Sequence, residues 1–235
     1  MRRLHHIPLS PFCRKVRLVL AEKKVEVGLV EETPWAREYD FLRLNPAGRV
    51  PVFVDDGGTV VSDSAAIIEY LEDTRPDVPM MPAMPGPHVT SDERRAIARQ
   101  RAEIRRLVAW FDDKMHREVT ANLLDERVMK KVKGGGYPDS ARVKAGLRNI
   151  ATHLDYISWL LERNECLAGD RLTLADFTAA AHLSCLDYID VVNWGSVPLV
   201  KEWYARIKSR PGFRSLLADR LPGMRPPDHY DDLDF

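Results

Sequence analysis

The chain has 235 residues, 45% of them hydrophobic, enough for one large domain or two modest ones that each bury a core. Lys plus Arg total 35 and Asp plus Glu total 35, so no net field favours nucleic acid or an anionic membrane surface, and recognition falls to local patches. The three cysteines, Cys13, Cys166 and Cys185, are odd in number and lack a C-x-x-C pairing, which reads as free thiols in a reducing compartment.

Residues 3–7 suit a short strand. Ser10 and Pro11 then open a helix as N-cap and first helical residue. Cys13, Val16, Val19 and Leu20 follow at helical spacing as an apolar stripe, and Arg14, Lys15 and Arg17 occupy much of the other side. Residues 25–31 alternate as a second strand, which makes the opening a βαβ unit. After a connecting helix, Asn45-Pro46-Ala47-Gly48 is a turn, and residues 50–54 form a third strand with proline at its start, where a strand tolerates it. Asp55-Asp56-Gly57-Gly58 is a hairpin turn that returns the chain antiparallel. Ser62-Asp63-Ser64 caps a helix whose Ile67, Ile68 and Leu71 point inward. The order βαβ-α-ββα describes an α/β unit with a mixed four-stranded sheet over residues 1–75.

Residues 76–90 hold most of the chain's densest proline run and read as a linker. Ile97, Ile104, Val108, Phe111 and Met115 then recur at spacings of three and four, interrupted by Arg101. Val143, Leu147, Ile150, Leu154, Ile157 and Leu161 repeat the pattern, so two long packing helices are expected on either side of Gly134-Gly135-Gly136-Tyr137-Pro138. Residues 174–189 are apolar nearly all round, as in a helix at the centre of a bundle, and Thr173 with Asp176 forms its capping box. Val200, Trp203 and Ile207 supply one more amphipathic helix. The result is an all-α bundle over residues 91–220, followed by an acidic tail over 221–235.

Three local features could carry chemistry. The Ser10 hydroxyl sits where unpaired N–H groups and the positive end of a helix dipole could stabilise a bound thiolate, or it is a simple N-cap. Cys13, one turn on, is expected to be a buried, inert thiol. If the Val50–Pro51 bond is cis, the backbone of Val50 faces outward and can pair with an extended peptide; a trans bond would make Pro51 a plain strand start. Asp63 and Ser64 can hold the ammonium and carboxylate of an amino-acid group, or cap a helix without a ligand.

The order and spacing of these features, S-P-F-C opening the first helix, N-P-x-G-x-V-P before the third strand and D-S-x-A-I opening the next helix, resemble the glutathione transferase superfamily along nearly the whole chain. The resemblance implies a thioredoxin-like N-terminal domain carrying an all-helical C-terminal bundle, and a homodimer. It also implies a cleft for glutathione in which Ser10 activates the thiol, Val50 beside Pro51 pairs with the cysteinyl backbone, and Asp63 with Ser64 grips the γ-glutamyl end. A narrower likeness lies in W-F-D at Trp110 to Asp112, in G-G-G-Y-P-D-S from Gly134, and in the ending P-P-D-H-Y-D-D-L-D-F. It is similar to a subfamily of bacterial transferase-like proteins implicated in binding FtsZ filaments and promoting constriction. That likeness implies a cell-division regulator, non-catalytic or vestigially catalytic, cytoplasmic and recruited to the division site, whose partners are FtsZ filaments and other division proteins. The alternative is a glutathione S-transferase acting on small electrophiles.

In the tail, Asp228, His229, Tyr230, Asp231, Asp232, Leu233, Asp234 and Phe235 suit a short motif that docks on a basic, apolar groove, the other reading being a disordered or self-docked terminus. The tail is expected to add little to a core, so that deleting 228–235 leaves the fold intact. The seven histidines lack metal-ligand spacing, so no metal site is expected. The glycine run at 134–136 lacks the context of a phosphate loop. No signal-peptide run follows Arg2 and Arg3, and no stretch reaches the roughly 18 apolar residues of a membrane span. The arginines at 94, 95, 99, 101, 105 and 106 read as a solvated face paired with Glu93 and Glu103, or as a basic surface for an acidic partner.

Overall fold

A computed structural model describes residues 1–233. The N-terminal layer runs β1 (Arg3–His6), α1 (Pro11–Glu22), β2 (Gly28–Glu31), α2 (Tyr39–Leu44), β3 (Val52–Val54), β4 (Val60–Ser62) and α3 (Ser64–Thr74), in the order expected. Its four strands lie in the order β2-β1-β3-β4. The pair β1–β2 is parallel, with Leu4 opposite Leu29, and is joined by the crossover through α1. The other two pairs are antiparallel, with Leu4 opposite Phe53 and Val52 opposite Ser62. Strand alternation sends His5 towards Phe41 of α2, ring centroids 6.1 Å apart, while His6 lies under the influence of Arg17 on α1.

The proline-rich segment, whose Met80 and Met81 are buried, leads into α4 (Ser91–Ala109), which begins with a capping box of Thr90 and Glu93. Glu93 is therefore spent on the Thr90 backbone and hydroxyl, not on the arginine face where it was expected. Glu103 does pair with Arg106, and Arg101 turns back to the Pro82 carbonyl. The helix continues without a break but widens into π-helical turns over Trp110–Thr120 and Asp125–Met129, separated by α5 (Ala121–Leu124) and closed by α6 (Lys130–Val132). After the glycine-rich loop come α7 (Ser140–Leu161), α8 (Leu174–Tyr188), α9 (Pro198–Lys208) and the short α10 (Arg214–Leu217). Every residue of α8 is buried, so it is the axis of the bundle. Its capping box is closed on both sides, and Asp176 also accepts from Leu167 N (2.9 Å) and Trp203 Nε1 (3.0 Å).

The two layers meet along α1 and α8, where the polar side of α1 is not solvated. Arg14, Lys15 and Arg17 are all buried. Each charge is matched by the helical layer: Lys15 Nζ lies 2.5 Å from Asp112, and Arg14 and Arg17 both reach Asp219, at 3.1 and 2.8 Å. A charge this far from water is tolerable only when paired and hydrogen-bonded, and these are.

Candidate functional site

A cavity of about 250 Å³ opens between the start of α1, the turn before β3 and the start of α3, lined by Phe12, Asn45, Ala47, Arg49, Val50, Pro51, Ser62, Asp63 and Ser64. Four of the residues named from sequence, Val50, Pro51, Asp63 and Ser64, are thus brought together. The Val50–Pro51 peptide bond is cis. The Pro51 carbonyl accepts from Asp63 N (3.3 Å), which ties the start of α3 to the start of β3.

Asp63 is the N-cap of α3, its carboxylate accepting from Ala65 N at 2.8 Å. Its backbone sits at φ 79°, ψ 135°, a region that costs an L-residue of the order of 1–3 kcal/mol and that persists only where the surroundings enforce it. Ser64 is 5% exposed at the first turn of the same helix. At the other side of the cavity Asn45 holds its own turn together. Its amide donates to the Arg49 carbonyl (2.8 Å) and its side-chain oxygen accepts from Ala47 N (3.1 Å). Gly48 lies at φ +61° with an added Cβ 3.3 Å from Leu42 Cδ2, so this turn has both a conformational and a steric reason for glycine.

Ser10 caps α1, its hydroxyl accepting from Cys13 N at 3.3 Å, with Pro11 at the first helical position. It does not itself line the cavity. Phe12, two residues on, supplies the wall on that side. Cys13 is fully buried, and burial pushes its thiol up to about 11 against a smaller opposing pull from Ser10, so it is an inert core thiol as expected.

The cavity therefore carries a carboxylate and a hydroxyl at a helix N-terminus, an apolar waist of Phe12, Val50 and Pro51, and an exposed guanidinium at Arg49. Such an arrangement can hold a short, extended, zwitterionic peptide, its ammonium on Asp63 and a carboxylate on Arg49. Phe12, Asn45 and Arg49 were not singled out from sequence. Their signal was present in S-P-F-C, which holds Phe12, and in N-P-x-G-x-V-P, which holds Asn45 and Arg49 but was read for its turn and for the Val50–Pro51 backbone.

Beyond Phe12 the layers share a polar seam. Phe12 meets His116 edge-on at 4.8 Å and His182 at 5.8 Å. His182 joins Thr120 (3.0 Å) to Asp112 (3.4 Å). Burial works to raise the Asp112 carboxyl, but the Lys15 charge and the His182 contact outweigh it and hold the carboxyl below its usual range. His116 is lowered to about 4 by burial and by the neighbouring His182.

The tail departs from its expected character. Tyr230 is 0% exposed, edge-on to Tyr188 at 5.2 Å, and its hydroxyl donates to the Leu216 carbonyl (3.2 Å). His229 Nε2 lies 2.9 Å from the buried Asp187, and Lys208 Nζ donates to the His229 carbonyl (3.0 Å). The expectation that this segment adds little to a core is overturned, because a tyrosine two residues beyond Asp228 completes the helical layer. Asp228, Asp231 and Asp232 stay exposed and Leu233 is half-buried, while Asp234 and Phe235 lie outside the described residues. Among the described residues no group of His, Cys, Asp and Glu could hold a metal ion, and no helix is long and apolar enough to cross a membrane.

Comparison with known proteins adds to this geometry. The family model for the glutathione S-transferase N-terminal domain matches residues 9–74, and that for the C-terminal domain matches 71–211. FtsZ-localized protein A of Caulobacter vibrioides is 42% identical over 237 residues, covering 100% of this chain and 98% of that protein. Among solved structures, a glutathione S-transferase from Rhodospirillum rubrum F11 superposes with a TM-score of 0.91 at 51% identity, covering 100% of both chains. FzlA from C. crescentus superposes with a TM-score of 0.90 at 42% identity, covering 100% of this chain and 99% of that one.

Proposed function

This chain belongs to the glutathione S-transferase family, and on that premise we propose that it is a division protein of this fold, one that binds FtsZ filaments and promotes constriction without conjugating glutathione. The observation that carries the reading is the end-to-end likeness to an FtsZ-localized relative, which extends over 100% of the chain and so includes the acidic tail. The protein acts in the cytoplasm at the division site, as a homodimer that meets FtsZ filaments and other division proteins. Two weak sites on one rigid body bridge or bend neighbouring filaments by effective concentration, without tight binding at either. The exposed carboxylates of Asp228, Asp231 and Asp232 are the partner-facing part of the tail, with His229 and Tyr230 anchoring it from within. The purified protein is expected to co-sediment with FtsZ polymers at micromolar concentration; its staying in the supernatant would sink this reading.

A second reading, a serine-type glutathione S-transferase acting on small electrophiles, is favoured by one observation. Val50, Pro51, Asp63 and Ser64 line one cavity with Phe12 of α1, which supports a cleft for glutathione. Ser10 would then stabilise the thiolate. Titration calorimetry separates the two: glutathione binding that is lost in Ser10→Ala and Asp63→Ala favours the enzyme, and absence of heat favours the division protein.

A further inference from the structure

The Ser10 turn and the C-terminal tail are far apart in sequence, yet one buried side chain touches the supports of both. Arg14 is 0% exposed. Its Nε donates to the Pro8 carbonyl (2.7 Å), in the turn that delivers Ser10, where Ser10 N also donates to the Ile7 carbonyl (3.1 Å). Its Nη1 donates to Ser184 Oγ (2.9 Å) on α8. Its Nη2 donates to Asp219 (3.1 Å) and, more weakly, to the Leu216 carbonyl (3.4 Å). That same carbonyl accepts the Tyr230 hydroxyl (3.2 Å).

We infer that Arg14 is a positioning residue for the Ser10 turn and that the docked tail, through Tyr230, holds Arg14 in place, so that seating or unseating the tail tightens or loosens the turn that starts α1, from which Phe12 walls the cavity. The guanidinium is planar and its donors form a fixed fork, so it cannot follow Leu216 and Asp219 outward and keep its bond to Pro8. The ring of Tyr230 packs on Tyr188, whose own hydroxyl accepts from Leu221 N (3.0 Å) and donates to the Met224 carbonyl (3.1 Å). Loss of the tyrosine thus loosens the 216–224 segment, which Arg17 still holds through Asp219 (2.8 Å) and the Ser215 carbonyl (2.8 Å), and with it the Leu216 carbonyl that Arg14 and Tyr230 share. A partner that drew the tail off the helical layer would in the same act alter the cleft. The coupling concerns the turn itself and stands whether or not glutathione is what the cleft holds.

Hydrogen-exchange mass spectrometry on the full chain tests this without any ligand. In Tyr230→Ala the peptide covering residues 7–13 is expected to exchange roughly tenfold faster than in the unaltered protein, together with the tail peptide, while the α3 peptide keeps its rate. Tyr230→Phe restores the ring but not the hydroxyl and is expected to give a smaller rise at the same peptide. The idea is overturned if the tail peptide opens while residues 7–13 keep their protection, or if α3 speeds up by the same factor, which would make the tail a general stabiliser only. Should the alanine variant fail to fold, Tyr230→Phe decides alone: a rise at residues 7–13 that spares α3 supports the coupling, and no rise there defeats it.

Discussion

His6 sits on β1 at 3% exposure, facing Arg17, with Asp219 and Arg14 nearby. Burial, reinforced by the Arg17 charge, lowers its pKa from 6.5 to about 4. Between those two values the unfolded chain takes up a proton at this position and the folded chain does not. The contribution of His6 to stability is therefore complete above pH 6.5 and is lost as the pH falls towards 4. Asp176 and Asp187 act in the opposite sense, since burial raises both carboxyls and favours the folded state at low pH. Comparing the unaltered protein with His6→Gln isolates the histidine. The urea midpoint of the unaltered protein should fall more steeply on acidification, by about 2 kcal/mol over the window once solvent screening is allowed for. Parallel pH profiles in the two proteins would refute this account of His6. At the same scale the W-F-D triplet has three separate uses. Trp110 donates to His153 (3.1 Å), Phe111 is fully buried, and Asp112 takes Lys15 and His182.

Among the elements, α8 depends most on a single side chain, because Asp176 satisfies the Thr173 cap and also reaches Leu167 and Trp203 across the layer. Asp176→Ala leaves these buried donors without an acceptor and should cost about 3 kcal/mol, read as a lowered urea midpoint with an unchanged slope; a loss below about 1 kcal/mol would show that water replaces the carboxylate. This helix was fully legible in the sequence, since an all-round apolar run behind a capping box has few other solutions. So were the chain order of the N-terminal elements, the caps at Ser10 and Asp63, and the glycine-rich break. The polar side of α1 was not, because periodicity separates apolar from polar faces but cannot tell a face turned to water from one turned to a second layer that carries matching charges. The π-helical turns were missed for a different reason. Phe111, Met115, Val119 and Leu123 are all fully buried and follow one another at a spacing of four. In a regular α-helix that spacing drifts by about 40° per step, and wider turns act against that drift. Gly146 of α7 meets the end of this stripe, where an added Cβ would stand 2.8 Å from Leu123 Cγ.

For the molecule as a whole, the tail is part of the folded unit. Truncation after Pro227 removes the buried Tyr230 and the His229 contact with Asp187, and is expected to lower stability by about 3–5 kcal/mol. Thermal melting of the truncated chain checks this, and an unchanged melting temperature would return the segment to the status of a loose appendage. The burial of the thiols has a practical consequence. Cys13 and Cys185 are 0% exposed and Cys166 is 5% exposed, and burial pushes all three up to about 11, so an alkylating reagent finds neither access nor thiolate in the closed protein. Cys13 lies on α1 and Cys185 on α8, either side of the seam between the layers, whereas Cys166 lies outside that seam. The natural chain thus carries its own set of labels: the order in which the three are modified over time reports whether the two layers part before, with or after the rest of the bundle.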